Sequence, residues 1–266
     1  MKNLVFLKLG GSLITDKNAP HHARLDIITR LASEIALGLH DNPGLRLLVG
    51  HGSGSFGHVP ARKYHTRDGV STTEEWRGFA EVWQEAKALN TIVMESLVGT
   101  GLPAIAFSPC AQVLTHSHNI IDWNITQIHR SLENDLVPVI YGDVVFDSVV
   151  GGTILSTEEQ FEYLAGIFKP ARILLAGIEP GVWKSFPEHD DFYPTISPSN
   201  LEDVDTHLAA SESTDVTGGM RSKVHSMMNL VLAGNCNEIF IFSGLEPGSV
   251  YNVLSGKCNG TRITQD

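Results

Sequence analysis

Strand-length apolar runs alternating with helix-period segments predict an α/β protein, a three-layer αβα sandwich around a mainly parallel sheet. Two observations carry this expectation. Runs such as "NLVFLKL", "LVPVIYG" and "ARILLAG" are apolar almost throughout, as strands covered on both faces are. Glycine-rich turns follow several of them, where an α/β sheet gathers its binding loops.

Taken in order, "NLVFLKL" is the first strand. "RLDIITRLASEIALGL" is a helix with Leu25, Ile28, Leu31, Ile35 and Leu39 at helical spacing. "LRLLV" is the second strand, which "HGSGSFGHVPARKY" (51–64) leaves through a glycine loop. A long helix over 73–98 sets Trp76, Phe79, Val82, Trp83, Ala86, Leu89, Val93 and Leu97 along one broad face and stops near Gly99 and Gly101. "PAIAF" and "LVPVIYG" are strands separated by a helix around "ITQIHRSLEN". Short alternating segments with glycines in "GDVVFDSVVGGTIL" predict a β-hairpin. The helix "EEQFEYLAGIF", the strand "ARILLAG", a polar, proline-containing stretch over 178–200, the helix "MRSKVHSMMNLVLAG" and the strand "EIFIF" complete the second half. No repeat, low-complexity segment or linker interrupts the pattern. Residues 1–266 therefore read as a single domain, with lobes of roughly 1–150 and 151–266 on one continuous sheet.

Apolar residues at 42% and charged residues at 18% are ordinary for a globular chain. The net charge of -11, without a dense Lys/Arg block, argues against a nucleic-acid partner. An acidic protein that handles an anion must concentrate its few lysines locally. Cys110, Cys236 and Cys258 lack metal or redox spacing and read as inert thiols. The apolar start is too short for a signal segment or a membrane span, so the expectation is a cytoplasmic protein with no membrane partner.

Four stretches carry candidate chemistry. In "KLGGSLITDK" (8–17), Gly10 and Gly11 let backbone N–H groups approach a phosphate, and Lys8 and Lys17 can reach the same anion as point charges. In 51–64, Gly52-x-Gly54-x-x-Gly57 fits both the dinucleotide fingerprint and the protein-kinase glycine loop. The protein-kinase reading fails for want of its lysine strand, catalytic loop and metal-binding Asp-Phe-Gly. The dinucleotide reading wants its glycines in the leading β-α unit, which Gly10 already occupies. In "STDVTGGMRSKVH" (213–225), two glycines open a helix whose free N–H groups suit a phosphate. Lys223 lies about one turn on, and Asp215 and Thr217 can cap the turn. "LLAGIEPGVW" (174–183) offers the glycine-rich strand end that a nucleotide crevice needs. Singly, each also reads as an ordinary capped turn. Together, glycine turns with lysine or histidine nearby and no carboxylate dyad point to phosphoryl transfer by positioning and charge neutralisation.

These residues resemble the amino acid kinase superfamily over almost the whole chain, and within it the branch that phosphorylates isopentenyl phosphate. The carriers are "LKLGGSLITDK", "HGSGSFGHVPARKY", "GFAEVWQEAKALN", "YGDVVFD", "GGTILSTEE", "AGIEPGVW" and "TDVTGGMRSK". The Lys-x-Gly-Gly-Ser start marks the fold, whereas the Ser-Phe-Gly-His and Asp-Val-Thr-Gly-Gly-Met blocks mark the branch.

The resemblance implies ATP and Mg2+ as cofactors, a phosphorylated isoprenoid as substrate, a homodimer, and a β-hairpin over the acceptor site. It assigns His58, beside the amides of Gly52, Ser53 and Gly54, to the acceptor phosphate, with Gly152 closing over it. Lys8 and Lys17 fall on the lysines of the transferring phosphoryl group, beside Gly10, Gly11 and Ser12. Asp215, Gly218, Gly219 and Lys223 fall on the nucleotide-phosphate block, and Ala176, Gly177, Glu179 and Gly181 on the adenosine side. Phe79, Val82 and Trp83 are candidates for an isoprenyl wall, plain core being the competing reading. Glu158 stands where the family commonly has aspartate, which leaves the role of that carboxylate open, and "GIEPGV" replaces a more acidic stretch. The same site chemistry admits a kinase for another small phosphate or a fosfomycin-like phosphonate, or a non-catalytic nucleotide-binding module. His116-x-His118 has no third ligand in sight and reads as a solvated loop.

Overall fold

The computed structural model describes residues 3–16, 19–185, 190–212 and 219–266. Strand β1 (Leu4–Leu9) is buried at every position. Its odd and even residues serve different cores: Val5, Leu7 and Leu9 face one side of the sheet, Leu4 and Phe6 the other. Lys8 is the next even position, so its side chain leaves the sheet on the Leu4–Phe6 side.

The one-turn helix α1 (Gly11–Ile14) leads to α2 (Leu25–Asp41), which buries Ile28, Leu31 and Ile35 against the odd face. Strand β2 (Arg46–His51) pairs parallel with β1. The glycine stretch that follows is a helix, α3 (Gly54–Lys63), where a loop is predicted. Helix α4 (Thr73–Gly99) starts on a Thr72–Glu75 capping box, each residue satisfying an amide of the other. Strand β3 (Ala104–Ala106) ends the sheet. Strands β4 (Val113–His116) and β5 (Asn119–Trp123), helix α5 (Thr126–Glu133) and strand β6 (Val137–Tyr141) follow.

Strands β7 (Asp143–Asp147) and β8 (Gly151–Leu155) form the predicted hairpin and join β4 and β5 in a separate four-stranded sheet. Helix α6 (Thr157–Phe168) and strand β9 (Arg172–Gly177) return the chain to the main sheet. The stretch after β9 holds the short strands β10 (Val182–Trp183), β11 (Phe192–Tyr193) and β12 (Thr195–Ile196). Helices α7 (Leu201–Glu212) and α8 (Gly219–Leu232), strand β13 (Glu238–Ser243), helix α9 (Ser249–Leu254) and strand β14 (Thr261–Thr264) complete the chain.

The eight-stranded sheet runs β12-β14-β13-β9-β1-β2-β6-β3, with only the β13–β14 pairing antiparallel. Helices α2, α4 and α9 cover one face and α5, α6, α7 and α8 the other, so the predicted three-layer sandwich is the observed one. Leu9 lies level with His51 on one side and Ala176 on the other. The turns leaving β1, β2 and β9 therefore meet at the carboxyl edge, which brings the candidate stretches 8–17, 51–64 and 174–183 together there. No helix among the described residues is long and apolar enough to cross a membrane.

Candidate functional site

The three turns interlock backbone to backbone. A Cβ on Gly11 would stand 2.6 Å from the Gly54 nitrogen, and one on Gly10 would stand 2.9 Å from the Ala176 carbonyl. Gly54 itself has φ +50, and a Cβ there would meet Thr15. This packing corrects two expectations about donors. The Gly10 N–H donates to Ala176 O (2.8 Å) and the Gly52 N–H to Leu9 O (3.1 Å), so neither amide is available to a phosphate. Among the described residues, the Ser53 and Gly54 amides meet no protein acceptor, while Ser55 N–H donates to Thr15 Oγ1 (3.0 Å). Two such amides at the start of α3, at the positive end of its dipole, are the kind of donors an anion would need.

His58 lies on the fifth residue of α3 and is exposed, as a donor to an incoming anion has to be. The core histidine of this stretch is instead His51, its first residue. Its imidazole is fully buried, and burial holds its pKa below the usual value, so the ring is neutral. Nδ1 lies 3.1 Å from Gly52 O and Nε2 3.2 Å from the Asn90 carboxamide, with Tyr141 stacked alongside. A neutral ring has one N–H, so it donates to one of these two oxygens at a time. The two contacts place the ring between the start of the glycine turn and α4.

The charged centre is Lys8, Glu158 and Lys223. Lys8 Nζ donates to Glu158 Oε1, and Lys223 Nζ lies 3.9 Å from the same oxygen. Burial would raise the Glu158 pKa, but the charges of Lys8 and Lys223 overcome it and hold it at about 2. The position left open by the glutamate-for-aspartate departure is thus a counter-ion shared by lysines from two elements.

The first turn of α6 is the hub that aims it. Ser156 and Glu159 form a capping box. Thr157 Oγ1 donates to His51 O (2.7 Å), Glu158 takes the lysines, and Gln160 Nε2 donates to Tyr141 O (2.8 Å). Thr157, Glu158 and Gln160 of one turn thereby fix the ends of β2, β1 and β6. The Ser-x-x-Glu spacing was the signal that could have located this turn.

Phe79 and Val82 are buried in a small cluster with Val70 and Val144, and a Cβ on Gly152 would lie 2.8 Å from the Phe79 ring. Gly152 thus lets the hairpin close on this cluster. Its amide donates to Val150 O (3.0 Å), so it offers close approach and not a free donor. Trp83 is exposed and lies outside this cluster, with Lys87 Nζ 5.1 Å from its ring. His116 and His118 bracket the hairpin, bonded to Ser148 Oγ (2.9 Å) and Thr153 Oγ1 (3.0 Å). No group of three or more His, Cys, Asp or Glu among the described residues could hold a metal ion.

The model of the amino acid kinase family matches residues 3–243. The chain belongs to the amino acid kinase family. Within it, the chain is 33% identical to isopentenyl phosphate kinase of Methanocaldococcus jannaschii over 98% of both chains. It is 34% identical to that of Methanothermobacter thermautotrophicus, over 98% of this chain and 99% of the relative. Among solved structures, an isopentenyl phosphate kinase superposes with a TM-score of 0.81 at 30% identity, covering 98% of this chain and 100% of the other. The isopentenyl phosphate kinase branch is therefore the one to which this chain belongs.

Ala176 and Gly177, expected on the adenosine side, end β9 at the carboxyl edge, next to Gly10. Glu179 Oε2 accepts from the Trp183 indole N–H (2.8 Å). Gly181 is a packing glycine: a Cβ there would stand 2.6 Å from Thr261 Oγ1. Gly219 opens α8, from whose first turns Lys223 reaches Glu158. Lys17, Asp215, Thr217 and Gly218 lie outside the described residues. Ser12 lies in α1, beside Gly11.

Proposed function

We propose that this chain transfers the γ-phosphoryl group of ATP to the phosphate of isopentenyl phosphate, giving isopentenyl diphosphate and ADP. The reading rests above all on two distinct anion seats, one at the α3 N-terminus with His58 a turn beyond, the other at the Lys8–Glu158–Lys223 cluster. A phosphate monoester has its second pKa at about 6 and is largely ionised near neutrality. Its oxygen is already nucleophilic, so no general base has to remove a proton. A new bond forms from that oxygen to the γ-phosphorus, the bond from the γ-phosphorus to the bridging oxygen breaks, and the electron pair leaves with ADP.

What the protein supplies is relief of repulsion between two anions held in line. Ser53 and Gly54 amides and the His58 imidazole hold the acceptor's non-attacking oxygens. Lys8 and Lys223, with Lys17, offset the charge that builds on the β/γ oxygens. Gly11, Ser12 and Gly219 flank the phosphates, Ala176 to Gly181 the adenosine, and Phe79 and Val82 the isoprenyl tail. In these terms residues 1–150 serve the acceptor and 151–266 the nucleotide. Glu158 is engaged by both lysines, so an Mg2+ arriving with ATP would be held mainly by the nucleotide phosphates and water, where it would supply further charge neutralisation. We further propose a cytoplasmic homodimer, which light scattering in solution tests.

Incubating the protein with ATP, Mg2+ and isopentenyl phosphate should produce ADP and a diphosphate signal in phosphorus NMR. Folded protein that binds ATP without turnover would favour a nucleotide-binding module. A higher kcat/KM for a phosphonate such as fosfomycin would move the acceptor class.

A further inference from the structure

One arginine stands outside both anion seats yet bonds to the hairpin and to the α6 turn that carries Glu158. We propose that Arg67 is a positioning residue of the acceptor pocket: its guanidinium locks the segment between α3 and α4 onto the β7–β8 hairpin and the first turn of α6. This deepens the acceptor assignment above and rests on it.

The lock has side-chain and backbone parts. Arg67 Nη1 donates to Ile154 O in β8 and to Glu159 Oε2 (3.1 Å), and Nη2 donates to Glu159 Oε1 (2.5 Å). The fork is bidentate, which fixes orientation as well as distance. The carbonyl of Arg67 accepts from Thr153 Oγ1 (2.8 Å), and three residues on, the Val70 N–H donates to Val150 O (2.8 Å). Gly151, at φ +79, leaves room for the Val70 carbonyl, which a Cβ would strike. The outcome is that Val70 is held in the cluster with Phe79 and Val82, the surface assigned to the isoprenyl tail.

Glu159 gives the clamp its reach. The same carboxylate accepts from Ser156 N–H (2.7 Å) in the capping box, next in sequence to Glu158. Arg67 therefore pins the tail wall to the turn that aims Lys8 and Lys223. It touches neither lysine, and among the described residues its partners are all structural. Its effect belongs on acceptor binding, with the chemical step and ATP binding spared.

The test uses the full chain with Arg67→Ala, Arg67→Lys, Glu159→Gln and the Arg67→Ala/Glu159→Gln pair. Glutamine still accepts from Ser156 N–H, so Glu159→Gln keeps the capping box while removing the charge. For a partly exposed bidentate pair, Arg67→Ala should raise KM for isopentenyl phosphate about tenfold, with kcat and KM for ATP within about twofold. Arg67→Lys should recover part of the loss, and the double variant should be no worse than Arg67→Ala alone. An unchanged acceptor KM, an equal rise in both KM values, or additive effects would overturn the proposal. Amide hydrogen exchange in the ligand-free chain separates this from the acceptor assignment: Arg67→Ala should expose the Val70 N–H to exchange. Unaltered protection over 64–72 in folded Arg67→Ala refutes the lock whatever the acceptor is, whereas wild-type protein without turnover refutes the acceptor assignment and leaves the exchange result to decide the lock.

Discussion

Glu158→Gln is the perturbation most closely tied to the charged centre, because it removes a charge at nearly constant volume. With Lys223 Nζ 3.9 Å from Oε1, the attraction is about 4 kcal/mol at an effective dielectric near 20. The Glu158 side chain is only 24% exposed, so little of this is lost to solvent screening. The depression of its pKa from 4.5 to about 2 corresponds to a preference of roughly 3 kcal/mol for the ionised form. Both figures are of the order of a few kcal/mol, the first for the Lys223 contact alone and the second for both lysines net of the cost of burial. Without this anchoring, Lys8 and Lys223 repel each other and lose their aim at the β/γ oxygens. If most of that anchoring is felt only as charge shifts in the transition state, kcat should fall about 100-fold. KM for ATP should not rise, since two uncompensated ammonium groups still attract the polyphosphate. Steady-state kinetics at saturating acceptor, with a thermal melt to establish folding, makes the comparison. A kcat within about threefold of wild type would refute the idea that a shared counter-ion organises the lysines.

The remaining predictions address other parts of the site. His58→Ala should lower kcat/KM for the acceptor by about 100- to 1,000-fold with ATP binding intact, as the loss of one oriented donor does. Equal losses for ATP binding would contradict its assignment. Gly11→Ala, whose new Cβ would stand 2.6 Å from Gly54 N, should destabilise the fold by about 1–3 kcal/mol and impair catalysis; chemical denaturation measures the first. Asp143 is almost fully buried, and burial pushes its pKa from 3.8 up to about 7 against hydrogen bonds from Val144 N–H and Ser108 Oγ. The native state then holds a proton that the unfolded chain has lost, so this group makes stability fall as pH rises between those values, by at most about 1.4 kcal/mol per pH unit. Urea denaturation across the window should show that slope in wild type and its loss in Asp143→Asn; an identical slope in both would contradict the assignment.

The main sheet was legible because its strands bury both faces, and near-continuous apolar runs have few other readings. The hairpin was legible from its alternation and its glycines. Helix α3 was not, because Gly54, Gly57 and Pro60 are poor helix residues and local propensity points to a loop. Tertiary contacts outweigh propensity there: Thr15 caps Ser55, Phe56 is buried, and Gly54 fits where no side chain can. Helix α7 fell just beyond the polar stretch and went unread, as did the short α9 and β14.

At the site, glycine turns and lysines could be found by motif, and Lys8 and Lys223 do converge. What no spacing reveals is which amides the fold consumes. Gly10 and Gly52 look as suitable as Ser53 and Gly54 until parallel strand pairing takes their N–H groups. Glu158 was visible only as a departure from a family pattern, Arg67 belongs to no motif, and His51, although it opens the 51–64 stretch, is held by Asn90 and Thr157, both distant in sequence.

A crystal structure with isopentenyl phosphate bound tests the central claim most directly. The account predicts its phosphate on the Ser53 and Gly54 amides, with the His58 imidazole as a further donor. A phosphate bound away from the α3 N-terminus, with His58 turned from it, would contradict the account.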